Sequence, residues 1–468
     1  MKRIIAAILL IAFSFSLSIA ASAIDTTQVQ SVTADVEYLS AIADEIGDSS
    51  PLTLVAESYY KTVLPTLTES EVVSIIQDAT KSNSYRSFVI DMYSLALQEG
   101  KRSIRNDSAA FDNALVSLIV PGEDLSVMAL GSLSNLSTVT VKQLTTMIDL
   151  GSDAEKAISL KVLCARSPQD ASKEIEDILL NKKSDRQLYD TAINFLPRLI
   201  GTTNTFTEDY VISKINKALY GTSDERILIT CVQALMEIGS EKALNTVLSA
   251  RDKLPDELFI YFAKKTGTVL DLQETLSTAP NTRGATNRLG NALYRDGVGE
   301  SLIGIEIDWH AGLVGHASGP LYQGGEWVIH HPGGDAVVQY DTFDAFLTDS
   351  DGVEQGDRDE FYMSSVSQST AYDIFFTAHD LTNEAIPYTF SPMLRTSKAS
   401  GRIEPSDITK IRCDGVVEYC YEYNGVRLQG PNDSANTWDI STVIGAENHP
   451  MSFRPSAQSE CFDRRIVH

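Results

Sequence analysis

Basic residues are scarce in this chain, which has 38 lysines and arginines against 63 aspartates and glutamates and a formal charge of −25. Lys2 and Arg3 are the only charged residues among the first 23, so loss of an N-terminal leader would make the charge −27. Nucleic acids and anionic lipids bind proteins through basic patches. The composition therefore argues against both as partners.

Long apolar runs are also scarce. The one such run, Ile4 to Ala20, follows Lys2 and Arg3 and ends in the small residues 21–23. This order predicts a secretory signal peptide over residues 1–23. A membrane anchor is the alternative, but the run is short for a spanning helix. With no later segment long and apolar enough to span a bilayer, we expect a secreted, extracytoplasmic and soluble mature protein.

Cysteines are few as well, five in all. An odd number leaves at least one thiol outside any disulfide in an exported protein. Cys413 and Cys420 are seven residues apart on one predicted helix, about 10 Å along its axis, which is too far for a disulfide. Cys164 and Cys231 fall on apolar helix faces, where we expect them to fill the core.

The first half of the chain, residues 24–278, has apolar positions at helical spacing almost throughout. Clear examples are 154–167, 186–201 and 225–240, and the last is followed by a second amphipathic stretch at 241–254. Their starts lie some thirty to forty residues apart. This spacing predicts a HEAT-like helical repeat, an all-α solenoid, with an irregular helical bundle as the alternative. We expect it to hold a protein partner or to position the second domain.

The second half, residues 279–468, changes character. A stretch rich in Gly, Asn and Arg, 279–300, separates helical from strand periodicity. Alternating apolar residues predict a strand over 301–315, and further strands are predicted at 325–331 and 336–340. A short helix is predicted immediately afterwards.

That helix is predicted over 341–347, with Asp341 as its N-terminal cap. On the first strand, His310 is predicted to lie on the polar face, beside the small residues Ala311 and Gly312, which would let another chain or a ligand approach.

The acidic run 349–360 partly resembles a calcium-binding EF-hand loop. Asp349, Asp351 and Gly352 fit the loop, but Arg358 stands where the loop needs a glutamate. A solvated acidic loop is the better interpretation, and we expect neither a metal nor an organic cofactor.

Residues 412–425 carry the principal functional signal. Their apolar spacing predicts a helix that ends at Asn424 and Gly425 and has Cys413 in its first turn. Unpaired N–H groups and the helix dipole favour a thiolate there, and the neighbouring Arg412 is expected to act in the same direction. The alternative is an ordinary buried cysteine.

A nucleophilic thiol also needs a base and a group that orients the base. His310 and His330, on neighbouring predicted strands, are the candidates.

These residues resemble a known family. The segments HAGLVG from His310, WVIHH ending in His330 and His331, DTFDAFL at 341–347 and RCDGVVEYCYE around Cys413 are similar to the NlpC-type cysteine peptidases of the papain-like fold. In that family the cysteine opens a helix, and the base and a third polar residue lie on consecutive strands.

The resemblance implies a role for each residue. Cys413 is the nucleophile, His310 the base, and His330 the orienting group, with His331 as the open alternative to His330. Tyr388 stands where permuted members often carry a tyrosine, which together with the Cys413 N–H would stabilise an oxyanion.

The resemblance covers roughly Thr282 to Cys461 and departs from the common pattern in its chain order. Both histidines precede the cysteine, which matches the circularly permuted branch that includes YiiX-like proteins and, more distantly, the lecithin retinol acyltransferases. The histidines are twenty residues apart, a longer gap than is usual. Arg412 and Asp414 replace the usual Asp and Ser around the cysteine.

Together these observations predict a multidomain protein with an N-terminal helical repeat and a C-terminal α+β domain of the permuted papain-like fold. The expected function is a thiol hydrolase (cysteine peptidase or amidase) that cleaves an amide bond, with cell-wall peptide as the substrate that the resemblance implies. An acyltransferase with the same site residues and a non-catalytic protein-binding scaffold are the alternatives.

Overall fold

The computed structural model describes residues 26–46, 50–100, 108–181, 185–268, 288–295, 310–315, 327–347, 358–398, 401–428 and 455–467. Up to residue 268 the described chain is helical. The helices are α1 (Thr26–Ile46), α2 (Thr53–Ser58), α3 (Glu69–Gln77), α4 (Asn83–Gln98), α5 (Ser108–Leu118), α6 (Ser126–Ser132), α7 (Val141–Leu150), α8 (Asp153–Arg166), α9 (Pro168–Asn181), α10 (Arg186–Phe195), α11 (Glu208–Tyr220), α12 (Glu225–Ile238), α13 (Glu241–Ser249) and α14 (Asp256–Thr266).

Local sequence signals explain where these helices begin. At the start of α8, Ser152 accepts a hydrogen bond from the Glu155 N–H, and the Glu155 carboxylate accepts one from the Ser152 N–H. The same reciprocal cap joins Thr140 and Gln143 at α7. The helices predicted from residues 154, 186, 225 and 241 are confirmed as α8, α10, α12 and α13.

The C-terminal part combines strands and helices. Its elements are β1 (Ala292–Arg295), β2 (His310–Gly315), β3 (Trp327–His330), β4 (Gln339–Thr342), α15 (Phe343–Leu347), β5 (Arg358–Tyr362), α16 (Gln368–Asn383), β6 (Leu394–Thr396), β7 (Ile408–Ile411), α17 (Cys413–Tyr423), α18 (Pro455–Ser459) and β8 (Arg464–Val467). Six strands form an antiparallel sheet in the order β4-β3-β2-β1-β5-β8, and β6 pairs with β7. The chain is thus helical first and α+β afterwards.

Three sequence predictions in this part need correction. The stretch 279–300, taken as a separator, contains β1, which lies between β2 and β5. The third strand begins later than predicted and includes Asp341, so the following helix starts at Phe343 and Asp341 is not its cap. His310 is buried rather than on a polar face, with 2% of its surface exposed. The long helix α16 was not predicted.

The sheet separates two apolar layers. Side chains alternate along each strand, so Ala311 and Leu313 point to one face and His310, Gly312 and Val314 to the other. The first face joins a continuous core that also contains buried side chains of α12, α16 and α17. The second face carries a small cluster of Leu293, Val314, Val328 and Phe346. Helix α15, which contains Phe346, therefore lies across the sheet from α17.

Helices of the first part hold the end of α16. Three side chains of α8 and α10 donate hydrogen bonds to its last carbonyl oxygens, which have no partner within the helix itself. The pairs are Lys161 with Glu384, Gln187 with Thr382 and Asn194 with Asn383. The Arg198 guanidinium is also paired with the buried Glu384 carboxylate. This face of the helical part is thus occupied by the chain's own C-terminal part.

Some sequence predictions fall outside the described residues. These are the signal peptide at 1–23, the beginning of the strand predicted from 301, the boundary predicted at 278 and most of the acidic run 349–360. Among the described helices, none has the length and apolar character that a transmembrane helix requires.

Candidate functional site

Three side chains form a hydrogen-bonded chain on one face of the sheet. His310 Nε2 lies 2.7 Å from His330 Nδ1. His330 Nε2 lies 2.7 Å from Asp341 Oδ2. The other nitrogen of His310, Nδ1, is buried and has no hydrogen-bond partner among the described residues. The chain of contacts therefore ends at a single unoccupied nitrogen.

Strand register explains why these residues meet. Gly312 is paired with His330, and Val328 with Asp341, so His310, His330 and Asp341 point to the same face. A Cβ on Gly312 would lie 3.1 Å from the His330 Cβ and closer still to Val328. Side chains of β3 thus fill the space beside Gly312. The sequence predicts that this space is open to a ligand or another chain, and that prediction is wrong for a ligand. Phe346 covers both imidazoles, with ring centres 5.3 and 5.0 Å away.

Burial and hydrogen bonding fix the charges of this chain. Burial lowers the pKa of His310 well below 6.5, and the charge of Arg295 acts in the same direction. Burial alone would raise the pKa of Asp341, but hydrogen bonding to His330 outweighs it and holds that pKa below 3.8. His310 is therefore neutral and Asp341 ionised near pH 7.

The ionised carboxylate then determines the tautomers. A carboxylate only accepts hydrogen bonds, so His330 must carry its proton on Nε2. With both imidazoles neutral, the other nitrogen of His330 is an acceptor, so His330 Nδ1 accepts a hydrogen bond that His310 Nε2–H donates. In that state His310 Nδ1 has a lone pair that can accept a proton. Through His330, Asp341 thus determines which nitrogen of His310 can act as a base.

Cys413 is the first residue of α17, as the sequence predicted. Tyr294, which pairs with Ala311 beside His310, donates its hydroxyl hydrogen to Gln458, and Gln458 donates to the Asp414 carbonyl oxygen. The start of α17 therefore lies near the start of β2. Tyr421, near the end of α17, donates to the Gly290 carbonyl oxygen, and the Gly290 N–H donates to Val314. Helix and strand run side by side.

The thiol and the imidazole lie toward opposite faces of β2. Cys413 belongs to the core on the Leu313 face, whereas His310 points to the Phe346 face. A contact between the two side chains is therefore part of the function proposed below. Cys413 is buried, with 3% of its surface exposed.

Arg412 pairs with Asp414 and also interacts electrostatically with Cys413, as expected. Its guanidinium donates two hydrogen bonds to the Asp414 carboxylate, at 2.7 and 2.5 Å. The Asp414 carboxylate also accepts the Gly415 N–H at 2.9 Å. Asp414 thus offsets part of the Arg412 charge, and the backbone N–H groups of the helix start favour a thiolate in the same direction.

His331 and Tyr388 pack against each other. Their ring centres are 5.1 Å apart. His331 Nε2–H donates to the Ile386 carbonyl oxygen, and His331 Nδ1 accepts the Gly333 N–H. Both nitrogens are thereby occupied by backbone, so it is His330 that the structure places beside His310. Tyr388 is fully buried and forms a β-bridge with Ile411, two residues before Cys413. It also lies close enough to Arg412 to contribute to raising the pKa of that residue.

Comparisons with known proteins gave no match for this chain, whether to a family model, a curated protein or a solved structure. Within the described ranges, no group of three or more His, Cys, Asp or Glu side chains is arranged to hold a metal ion. Sequence reasoning missed Asp341 as a site residue, because the sequence predicted it to be a helix cap rather than a residue of β4 beside His330.

Proposed function

We propose that this protein is a thiol hydrolase that cleaves an amide bond, with Cys413 as the nucleophile and His310 as the base. The observation that carries the proposal is the chain from Asp341 through His330 to His310, which ends at a buried nitrogen without a hydrogen-bond partner among the described residues. Such a chain is what a weak nucleophile needs for activation. The start of α17 beside the start of β2 supplies the thiol.

The reaction follows from these roles. His310 Nδ1 takes the Cys413 thiol proton, and the sulfur attacks the carbonyl carbon of the substrate. The Cys413 N–H and the Tyr388 hydroxyl stabilise the oxyanion. The C–N bond breaks as His310 returns the proton to the leaving amine. Water then attacks the thioester, His310 takes its proton, and the acid and the thiol are released.

The proposal extends to fold and setting. We assign residues 24–278 to a HEAT-like repeat and residues 279–468 to the permuted papain-like fold. The leader pattern at 1–23 supports a location outside the cytoplasm, and the resemblance makes a cell-wall peptide the first substrate to test. Accumulation of a transferred acyl product instead of free acid would identify an acyltransferase.

Alkylation by iodoacetamide tests the base. An ordinary thiol, with a pKa of about 8.5, is about 1% ionised at pH 6.5, so full activation raises its alkylation rate by up to about 100-fold. We expect Cys413 to react at this enhanced rate at pH 6.5, and His310→Gln to lower the rate about 100-fold. Peptide mass spectrometry distinguishes Cys413 from the other cysteines. An unreactive Cys413, or a rate unchanged in His310→Gln, would overturn the proposal.

Product analysis then tests the reaction itself. The mature protein is incubated with wall fragments and small amide libraries, and the products are read by mass, with Cys413→Ser as the inactive control.

Variants of His330 and His331 distinguish the residue that orients His310 from a neighbour that only packs. We expect His330→Ala to reduce Cys413 alkylation nearly as far as His310→Gln does, because His310 loses the partner that fixes its tautomer. His331→Ala should keep the alkylation rate of the folded protein and lower its melting temperature, because it removes two backbone contacts. Equal loss of alkylation from His331→Ala alone would mean that His331 is the orienting residue.

A further inference from the structure

A second buried hydrogen-bonded chain joins the helical part to β4, the strand that carries Asp341. The Tyr340 hydroxyl lies 2.8 Å from His379 Nδ1. His379 Nε2 lies 2.9 Å from the Thr230 hydroxyl oxygen. Thr230 is on α12, His379 on α16 and Tyr340 on β4, so the chain connects three elements that are distant in sequence.

Each member of this chain has a defined direction. The Thr230 hydroxyl donates to the Arg226 carbonyl oxygen at 3.0 Å, so its oxygen accepts the His379 Nε2–H. His379 Nδ1 then accepts the Tyr340 O–H. Burial, and next the charge of Arg226, lowers the pKa of His379 well below 6.5, so the imidazole stays neutral. In this arrangement every polar group of the chain is hydrogen-bonded.

Helix α12 also holds the ring of Tyr340. The Arg226 guanidinium carbon lies 4.0 Å from the centre of that ring, close enough for a cation–π contact. Tyr340 is 8% exposed, and Thr230 and His379 are fully buried. Two side chains of one helix therefore fix both the ring and, through His379, the hydroxyl of Tyr340.

Tyr340 and Asp341 are consecutive residues of β4 and point to opposite faces of the sheet. We propose that Tyr340 is a positioning residue through which α12 holds Asp341 against His330, so that the helical part is an integral component of the active site. This inference rests on the proposed function. It gives the helical part a role inside the chain: to fix β4 at the distance that the Asp341 to His330 hydrogen bond requires.

Conservative variants test the proposal through Cys413 alkylation in the full chain. Tyr340→Phe removes only the hydroxyl, and Thr230→Val removes the acceptor of His379. We expect each to lower the alkylation rate at pH 6.5 about tenfold, as for a small misplacement of a catalytic group, and to move the pH midpoint of alkylation upward. Thr230→Ser keeps the hydroxyl and should restore the rate.

A matched control removes another hydroxyl between the same two parts. Tyr372 of α16 donates to Glu257 of α14 at 3.3 Å. This hydrogen bond joins two helices and does not involve β4. Tyr372→Phe should therefore leave the alkylation rate unchanged. Tyr340→Phe carries the test if Thr230→Val does not fold.

The outcomes separate the two proposals. If wild-type alkylation depends on His310 but Tyr340→Phe matches wild type, the positioning role is wrong and the proposed function stands. Equal losses in Thr230→Ser and Thr230→Val, or in Tyr372→Phe and Tyr340→Phe, also overturn the positioning role. If wild-type alkylation does not depend on His310, it is the proposed function that fails.

Discussion

Replacement of Asp341 by Asn should lower the alkylation of Cys413 at pH 6.5 about 100-fold, to the rate of His310→Gln. The physical reason is a loss of charge rather than a loss of packing. The Asn side chain keeps an oxygen that can accept the His330 Nε2–H and the Gln339 amide N–H, as the Asp341 carboxylate does. It carries no negative charge, so the imidazolium that forms when the thiol proton is transferred loses the counter-charge that stabilises it. The transfer is then less favourable and Cys413 stays a thiol.

The loss of charge is observable independently of any reaction. In protein labelled with ¹⁵N-histidine, His310 Nδ1 should take up a proton at a lower pH in Asp341→Asn than in the wild type, with His310→Gln providing the assignment. Asp344→Asn is the matched control, because it removes the same charge at an exposed position of α15. We expect it to match wild type. An unchanged protonation pH and an unchanged rate in Asp341→Asn would remove Asp341 from the site.

Local sequence patterns predicted the elements whose formation depends on residues close together in the chain. The apolar spacing that identified α8, α10 and α12 depends on residues three or four positions apart, and so does the start of α17 at Cys413. The two histidines were also found, since each lies on a strand marked by alternating residues. Asp341 was misassigned because an acidic residue before Thr and Phe is typical of a helix cap, and nothing nearby indicates that β4 continues through it.

What the patterns missed depends on distant partners. β1 has only four residues, too few for a clear alternation, and its place between β2 and β5 is set by pairing. The burial of His310 follows from Phe346, which a later helix supplies. The contacts of α16 with α8 and α10 join residues nearly two hundred positions apart. No periodicity within either segment records such a contact.

Removal of the Asp91 carboxylate should lower the free energy of unfolding by about 3–5 kcal/mol, because it leaves two buried cations without a counter-charge. Asp91 of α4 is fully buried, and its two oxygens lie 2.8 Å from Arg395 Nη2 and 2.7 Å from Lys410 Nζ. Arg395 and Lys410 belong to β6 and β7, and β7 leads directly to α17. Burial lowers the pKa of Lys410 to about 8, yet Asp91 still supplies the opposing charge.

The measurement is urea unfolding of Asp91→Ala beside a surface control. Asp209 pairs with Lys242 at 2.7 Å, but its side chain is 76% exposed, so Asp209→Ala should lower the free energy of unfolding by less than about 1 kcal/mol. The contrast arises because water solvates an exposed lysine that loses its partner. The hydrogen bonds of Arg395 and Lys410 to Ser94, Ser132 and the Ser391 carbonyl oxygen are to neutral groups, which do not replace the charge of the carboxylate. If Asp91→Ala proves as mild as the control, the helical part does not anchor the strand that precedes Cys413. Because Asp91 joins α4 to the segment before the nucleophile, the same variant should also reduce Cys413 alkylation at urea concentrations where wild type remains folded.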